Sequence, residues 1–206
     1  AKFDIIPLFN GKITISSVQL FGFNINLNKP APHMEPNFKF VLDAFASKDT
    51  VKTKKDIDLR INSILIRRGK LSYDVLSEEE TPGKFNPQHI KLHNIIANIS
   101  LKALQNDSIN AAIKRLSVDE QSGFELRKLS LKVIANNKGM KIENFAIEMP
   151  GTEMKMDTIR MEYDSLKALN HFADNVRFSF RTLPSHVTLN DISAFVPALS
   201  NFKEKL

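Results

Sequence analysis

Leu59-Arg60-Ile61-Asn62-Ser63-Ile64-Leu65-Ile66 is the stretch that decides the fold. Its apolar residues follow the spacing apolar-x-apolar-x-x-apolar-x-apolar. On a helix turning about 100° per residue they would point to roughly 0°, 200°, 140° and 340°, so they share no face. On a strand each half alternates cleanly. The extra polar residue in the middle would turn the second half to the opposite face. A β-bulge or bend at Asn62-Ser63 restores one apolar face and adds curvature. The phrase recurs as Ile13, Ile15, Val18, Leu20; as Ile90, Leu92, Ile95, Ala97; and as Phe124, Leu126, Leu129, Leu131. It returns as Met140, Ile142, Phe145, Ile147 and as Met154, Met156, Ile159, Met161, with a degraded copy at Val187, Leu189, Ile192, Ala194. Polar pairs such as Ser16-Ser17, His93-Asn94, Glu143-Asn144 and Asp157-Thr158 occupy the midpoints. The pattern predicts long, kinked strands with one oily face and one wet face.

Turn residues stand where hairpins need them: Asn10-Gly11, Ser122-Gly123, Lys138-Gly139 and Pro150-Gly151. Residues 122–163 therefore read as an antiparallel meander, and Arg68-Gly69 marks a bulge or turn between Ile66 and Leu71. Further strands are expected at 36–46, 70–76, 109–119 and 174–183. Ser77 to Gly83 reads as a charged loop tip and Pro30-Ala31-Pro32 as a loop. Short helices are expected from Ser165 through Phe172, and from Asp191 as a cap with Ile192, Phe195, Leu199 and Phe202 on one side. The fold class is mainly β, a curved and partly open antiparallel sheet with one or two short helices. Residues 1–206 read as a single β-rich segment with sub-regions of about 1–120 and 121–206. The chain starts in mid-pattern, so a piece of a longer protein is expected.

Bulk composition closes several routes. There is no Cys, which excludes disulfides, thiolate metal sites and Cys nucleophiles. No apolar run approaches the roughly 18 residues of a spanning helix. The net charge of +6 is mixed with acids, as in Lys52-Thr53-Lys54-Lys55-Asp56-Ile57-Asp58, so no nucleic-acid partner is expected. Phe numbers 15 against 2 Tyr and no Trp. That balance favours dry surfaces over sugar stacking, and it lacks the aromatic girdles of a membrane barrel.

Catalytic signatures are absent. No nucleophile elbow, phosphate loop or dinucleotide fingerprint occurs. His89 and His93 would pair on a helix, but they sit in an alternating stretch where they span about 13 Å, so solvent-facing histidines are expected and no metal. Met149, Met154, Met156 and Met161 read as strand packing. The chain is expected to be no enzyme and to need no cofactor.

Two longer stretches carry a family resemblance. Ile57-Asp58-Leu59-Arg60-Ile61-Asn62-Ser63-Ile64-Leu65-Ile66-Arg67-Arg68-Gly69-Lys70-Leu71-Ser72-Tyr73-Asp74 resembles the strand, bend, strand, Gly, strand repeat of the AsmA/TamB superfamily. Leu183-Pro184-Ser185-His186-Val187-Thr188-Leu189-Asn190-Asp191-Ile192 and the following Ser193-Ala194-Phe195-Val196-Pro197-Ala198-Leu199 resemble a segment of the TamB-like proteins of Bacteroidetes. The resemblance implies a taco-like groove in a periplasmic protein held in the inner membrane by a segment absent from this chain. It also implies a role in outer-membrane biogenesis, a phospholipid or other acyl lipid as ligand, and an outer-membrane assembly protein as partner.

The residues expected to line the apolar face, and so a lipid groove, are Ile13, Ile15, Leu59, Ile61, Ile64, Ile66, Ile90, Leu92, Phe124, Leu126, Ile142, Phe145 and Met156. The same residues would serve equally as the closed core of a structural domain that docks envelope partners.

Overall fold

The computed structural model describes residues 12–40, 58–105, 108–165 and 172–192. Its strands are β1 (Lys12–Ile15), β2 (Val18–Phe21), β3 (Asn24–Lys29), β4 (Asp58–Val75), β5 (His89–Gln105), β6 (Ser108–Glu120), β7 (Glu125–Asn136), β8 (Gly139–Glu148), β9 (Glu153–Glu162) and β10 (Arg177–Thr182). All belong to one 10-stranded sheet. From β4 to β10 each strand pairs antiparallel with the next. β1, β2 and β3 lie end to end along β4 and run parallel to it. They form one edge and β10 the other, and the two edges do not pair, so the sheet is open. Two one-turn helices, α1 (Phe172–Asn175) and α2 (Leu189–Ile192), flank β10 in sequence. Among the described residues no helix is long and apolar enough to cross a membrane.

β4 and β5 run 18 and 17 residues, far beyond the five or six typical of a strand. Bulges let them keep one face apolar over that length. Register shifts separate Ile61 from Ile64 and Ile66 from Gly69 against β5, and Ile113 from Leu116 against β7. Arg68, Asn94 and Asn144 take the left-handed conformation, with φ of 55°, 53° and 53°. Asn tolerates that region best among non-glycine residues, which explains its place at two of the bends. Each bend sets two consecutive side chains on the wet face and returns the next residue to the oily face.

Several expectations are corrected. The edge made by β1 to β3 is parallel, because residues 30–57, rather than a tight turn, join it to β4. The expected strand 70–76 is the end of β4, not a separate element. Within the expected strand 36–46, residues 37–40 are turn and helical, with Lys39 N–H donating to the Pro36 carbonyl at 3.0 Å; residues 41–46 lie outside the described residues. The degraded copy from Val187 is not a strand, since Leu189–Ile192 is helical. Asp191 lies inside that turn rather than capping it, and the Thr188 carbonyl accepts its N–H at 3.1 Å. The body of the helix expected from Ser165, and the continuation beyond Ile192, fall outside the described residues.

Candidate functional site

Cross-strand register assembles the apolar residues into rows that cross the whole sheet. Ile13 stands opposite Leu59, and the line continues through Leu104, Ile109, Ala135, Met140, Met161 and Phe178. The next runs Ile15, Ile61, Leu101, Ala111, Val133, Ile142, Ile159, Phe180. A further row runs Leu20, Ile66, Ala97, Leu116, Leu129, Ile147, Met154. Between these last two, Val18, Ile64, Ile99 and Ile113 lead to Leu131, and Phe145 opposes Met156 beyond it. Directly opposed residues share a face, so this surface is apolar from edge to edge.

The surface is only partly covered. Among the described residues no large side chain is fully buried. Leu20, Ile25 and Leu104 stay 39–40% exposed, and Phe178 and Phe180 54%. Those two rings stack with centroids 5.9 Å apart at the β10 edge. A sheet packed against a second layer would bury such residues almost completely.

The opposite face is wet and charged. Lys128 reaches Glu148 at 2.8 Å, and Lys132 reaches Glu143 at 2.8 Å. Lys141 also contacts Glu143, and Lys155 contacts Glu153. The two lysines beside Glu143 hold its carboxyl down at about 2.

Of the expected groove residues, Ile13, Ile15, Leu59, Ile61, Ile64, Ile66, Ile142, Phe145 and Met156 occupy the rows above. Ile90 opposes Tyr73 and Leu92 opposes Leu71 toward the other end of β4 and β5, and Leu126 opposes Val118. Phe124 sits in the β6–β7 turn, its carbonyl accepting the Glu120 N–H at 2.9 Å. Met154, Met156 and Met161 pack within the rows, and Met149 is buried.

Sequence reading missed some partners that carry the same phrase. Ala111, Ile113, Leu116 and Val118 repeat it on β6. Val18, Leu20, Phe23 and Ile25 repeat it across β2 and β3, with Gly22 at φ 61° in the bend. The Phe23 ring covers Gly69, where an added Cβ would lie 2.5 Å from the ring. A side chain at residue 69 would have to push that ring aside.

No known family model, curated protein or solved structure matches this chain.

Two polar arrangements support the sheet. His89, expected to face solvent, is 4% exposed, because its register opposite Asp74 places it under the 76–88 loop. Its Nδ1 lies 3.0 Å from Asp74 Oδ1 and its Nε2 2.9 Å from the Glu78 carbonyl. Both partners are acceptors, so both ring nitrogens carry protons when both bonds form. The hydrogen bond to Asp74 raises the imidazole above its ordinary value, opposed by burial. Asp74, Glu80 and His89 bring ligand atoms within 4.8 Å of one another. Both imidazole nitrogens are already engaged, and Glu80 accepts from Lys91 Nζ at 2.9 Å, so the group reads as a loop latch. His93 is exposed, 3.8 Å from Asp119.

The stretch 183–192 clasps the β8–β9 turn. Glu153 and His186 exchange backbone bonds at 2.9 and 2.8 Å. Ser185 Oγ accepts the Lys155 N–H at 2.9 Å, Thr188 Oγ1 donates to the Gly151 carbonyl at 2.6 Å, and Asp191 Oδ2 accepts the Gly151 N–H at 2.9 Å. The polar residues of this phrase thus secure a sheet end.

Proposed function

We propose that this chain is a periplasmic β-groove segment that shields acyl chains during lipid transfer between membranes in outer-membrane biogenesis. The observation that carries the reading is the set of apolar rows crossing an open sheet from edge to edge, with exposed side chains along them. An acyl chain laid along such rows leaves water at roughly 0.8 kcal/mol per methylene, while its head group stays wet. No covalent chemistry is required, so the protein is no enzyme and uses no cofactor. The resemblance to the AsmA/TamB superfamily supports the location, the inner-membrane attachment through a segment outside this chain, and an outer-membrane assembly protein as partner. The competing reading, a closed core that docks envelope partners, needs those rows covered, and the exposure of Phe178 and Phe180 argues against it.

Native mass spectrometry of the chain purified from a bacterial envelope should detect bound phospholipid or another acyl lipid. Ile64→Asp should remove it. Leu104→Gln, at a more exposed row position, serves where Ile64→Asp does not fold. A chain that never carries lipid, or variants that carry it as well as the parent, would sink the reading.

A further inference from the structure

The face opposite the apolar rows carries a feature that the groove does not use. Phe21, Arg67, Arg68, Ile96 and Arg115 line a hollow of about 610 Å³ there. The bulges explain how these side chains meet. Arg67 and Arg68 both stand between Ile66 and Gly69 at a register shift, and Arg115 stands in the matching shift between Ile113 and Leu116. Each bend therefore delivers cations to the wet face, three guanidiniums around one depression.

Among the described residues none of the three has an acidic partner. The neighbouring β7 cations differ, since Arg127 meets Glu125 at 2.8 Å and Lys128 meets Glu148 at 2.8 Å. Between the arginines lie apolar groups in water: Phe21 is 55% exposed and Ile96 37%. A complementary ligand carries concentrated negative charge beside an apolar part. Guanidinium forks match phosphate oxygens in pairs. A free phosphate would leave Phe21 and Ile96 wet. A nucleic-acid strand needs an extended basic track with stacking platforms. An acidic peptide offers single carboxylates spread along a chain.

We propose that this hollow seats the phosphate head group of an anionic phospholipid at a bilayer surface, with Phe21 and Ile96 against its acyl boundary. The proposal stands independently of the groove on the other face.

The test is co-sedimentation with phosphatidylcholine vesicles made with and without phosphatidylglycerol. Binding should need phosphatidylglycerol and weaken as salt rises. At roughly fivefold per arginine near an anionic surface, Arg67→Gln with Arg115→Gln should lower affinity roughly twenty-fivefold. Both side chains are exposed, so the fold should persist, which far-UV circular dichroism checks. Phe21→Ser should weaken binding further without altering its salt dependence. Equal binding to both vesicle types would overturn the proposal, as would binding untouched by the arginine changes. Arginine-dependent binding of inorganic phosphate or poly-glutamate without vesicle binding would also overturn it, and would assign the hollow to a free anion or an acidic protein.

Discussion

The two faces of β7 obey the same backbone and opposite chemistry. On one face Leu129 stands between Leu116 and Ile147, and Val133 between Ala111 and Ile142. On the other, Lys128 and Lys132 each reach a glutamate on β8. The apolar face gains from every neighbour it touches, because apolar area leaves water along unbroken rows. The charged face gains little per pair, because exposed ion pairs are screened and entropically costly. Stability should therefore reside on one face, and the other should be free to vary. Within the wet face the comparison sharpens again: among the described residues the cations of β7 and β8 have acidic partners, while Arg67, Arg68 and Arg115 at the bends of β4 and β6 have none.

The largest effect should come from charging the middle of a row. Ile99 has Ile64 and Ile113 on its two sides. Ile99→Asp should cost about 3 kcal/mol or more, since a carboxylate must stay desolvated or drive its neighbours apart. Ile134 lies on the opposite face between Asn110 and Lys141 and is 40% exposed. Ile134→Asp should change stability by no more than about 0.5 kcal/mol. Urea unfolding of both variants measures the contrast, and equal losses would break the two-face description.

Next come the bends that keep the faces apart. Asn94 and Asn144 hold φ of 53°. Asn94→Val forces a β-branched residue into the left-handed region and should cost about 1–2 kcal/mol. Asn94→Gly takes that conformation freely and gives up only the exposed hydrogen bond from Asn94 Nδ2 to Asp119 at 2.7 Å, so it should stay within about 0.5 kcal/mol of the parent. Thermal unfolding distinguishes the pair. If valine is tolerated as well as glycine, the left-handed bend is not what holds the register.

Much of this was legible in the sequence, for a physical reason. A bend inside a strand leaves a two-residue gap in an otherwise alternating pattern, so the kinks at Ser16-Ser17, Asn62-Ser63, His93-Asn94 and Glu143-Asn144 could be read directly. Alternation fixes the face, so the apolar positions within each strand could be read the same way, whereas Phe124 stands in the β6–β7 turn. Pairing direction did not, since nothing in Ile13 to Leu20 says whether β4 arrives parallel or antiparallel. The burial of His89 was also illegible: its partners Asp74 and Glu78 come together only once β4 and β5 are in register and the 76–88 loop folds over them. The degraded copy at Val187 shows the opposite failure. Its spacing suits a strand, yet Thr188 and Asp191 bond the β8–β9 turn and draw the chain into a helical turn.

His89 should make one end of the apolar face sensitive to rising pH. Its folded value is raised, so its contribution is fully present below the unfolded value of 6.5 and is lost as pH rises through the folded value. The neutral ring keeps one proton and must release either Asp74 or the Glu78 carbonyl. Amide hydrogen exchange over residues 76–88 should accelerate across that range, beyond the intrinsic rise of exchange with pH. Residues 139–148 of β8 should show only the intrinsic rise. His89→Gln should abolish the difference between the two regions. Identical profiles in the parent protein would mean that the latch does not close the loop.

The smallest effect belongs to the charged face and has the opposite sign. Glu143 accepts from Lys132 at 2.8 Å and also contacts Lys141, which hold its carboxyl at about 2 against an ordinary 4.5. A lowered folded value gives stability that is present above the unfolded value and is lost as pH falls from about 4.5 toward 2. The side chain is accessible to solvent, so salt should screen most of the effect. Carbon-detected titration of Glu143 should give a midpoint near 2 at low salt that moves toward 4.5 as salt is added, and Lys132→Met should move it the same way. Because exposed ion pairs add little and the opposite face buries its apolar rows, neither change should shift the urea midpoint at neutral pH by as much as Ile99→Asp does. A comparable shift would mean that the ion pairs, rather than the rows, set the stability of this half of the sheet.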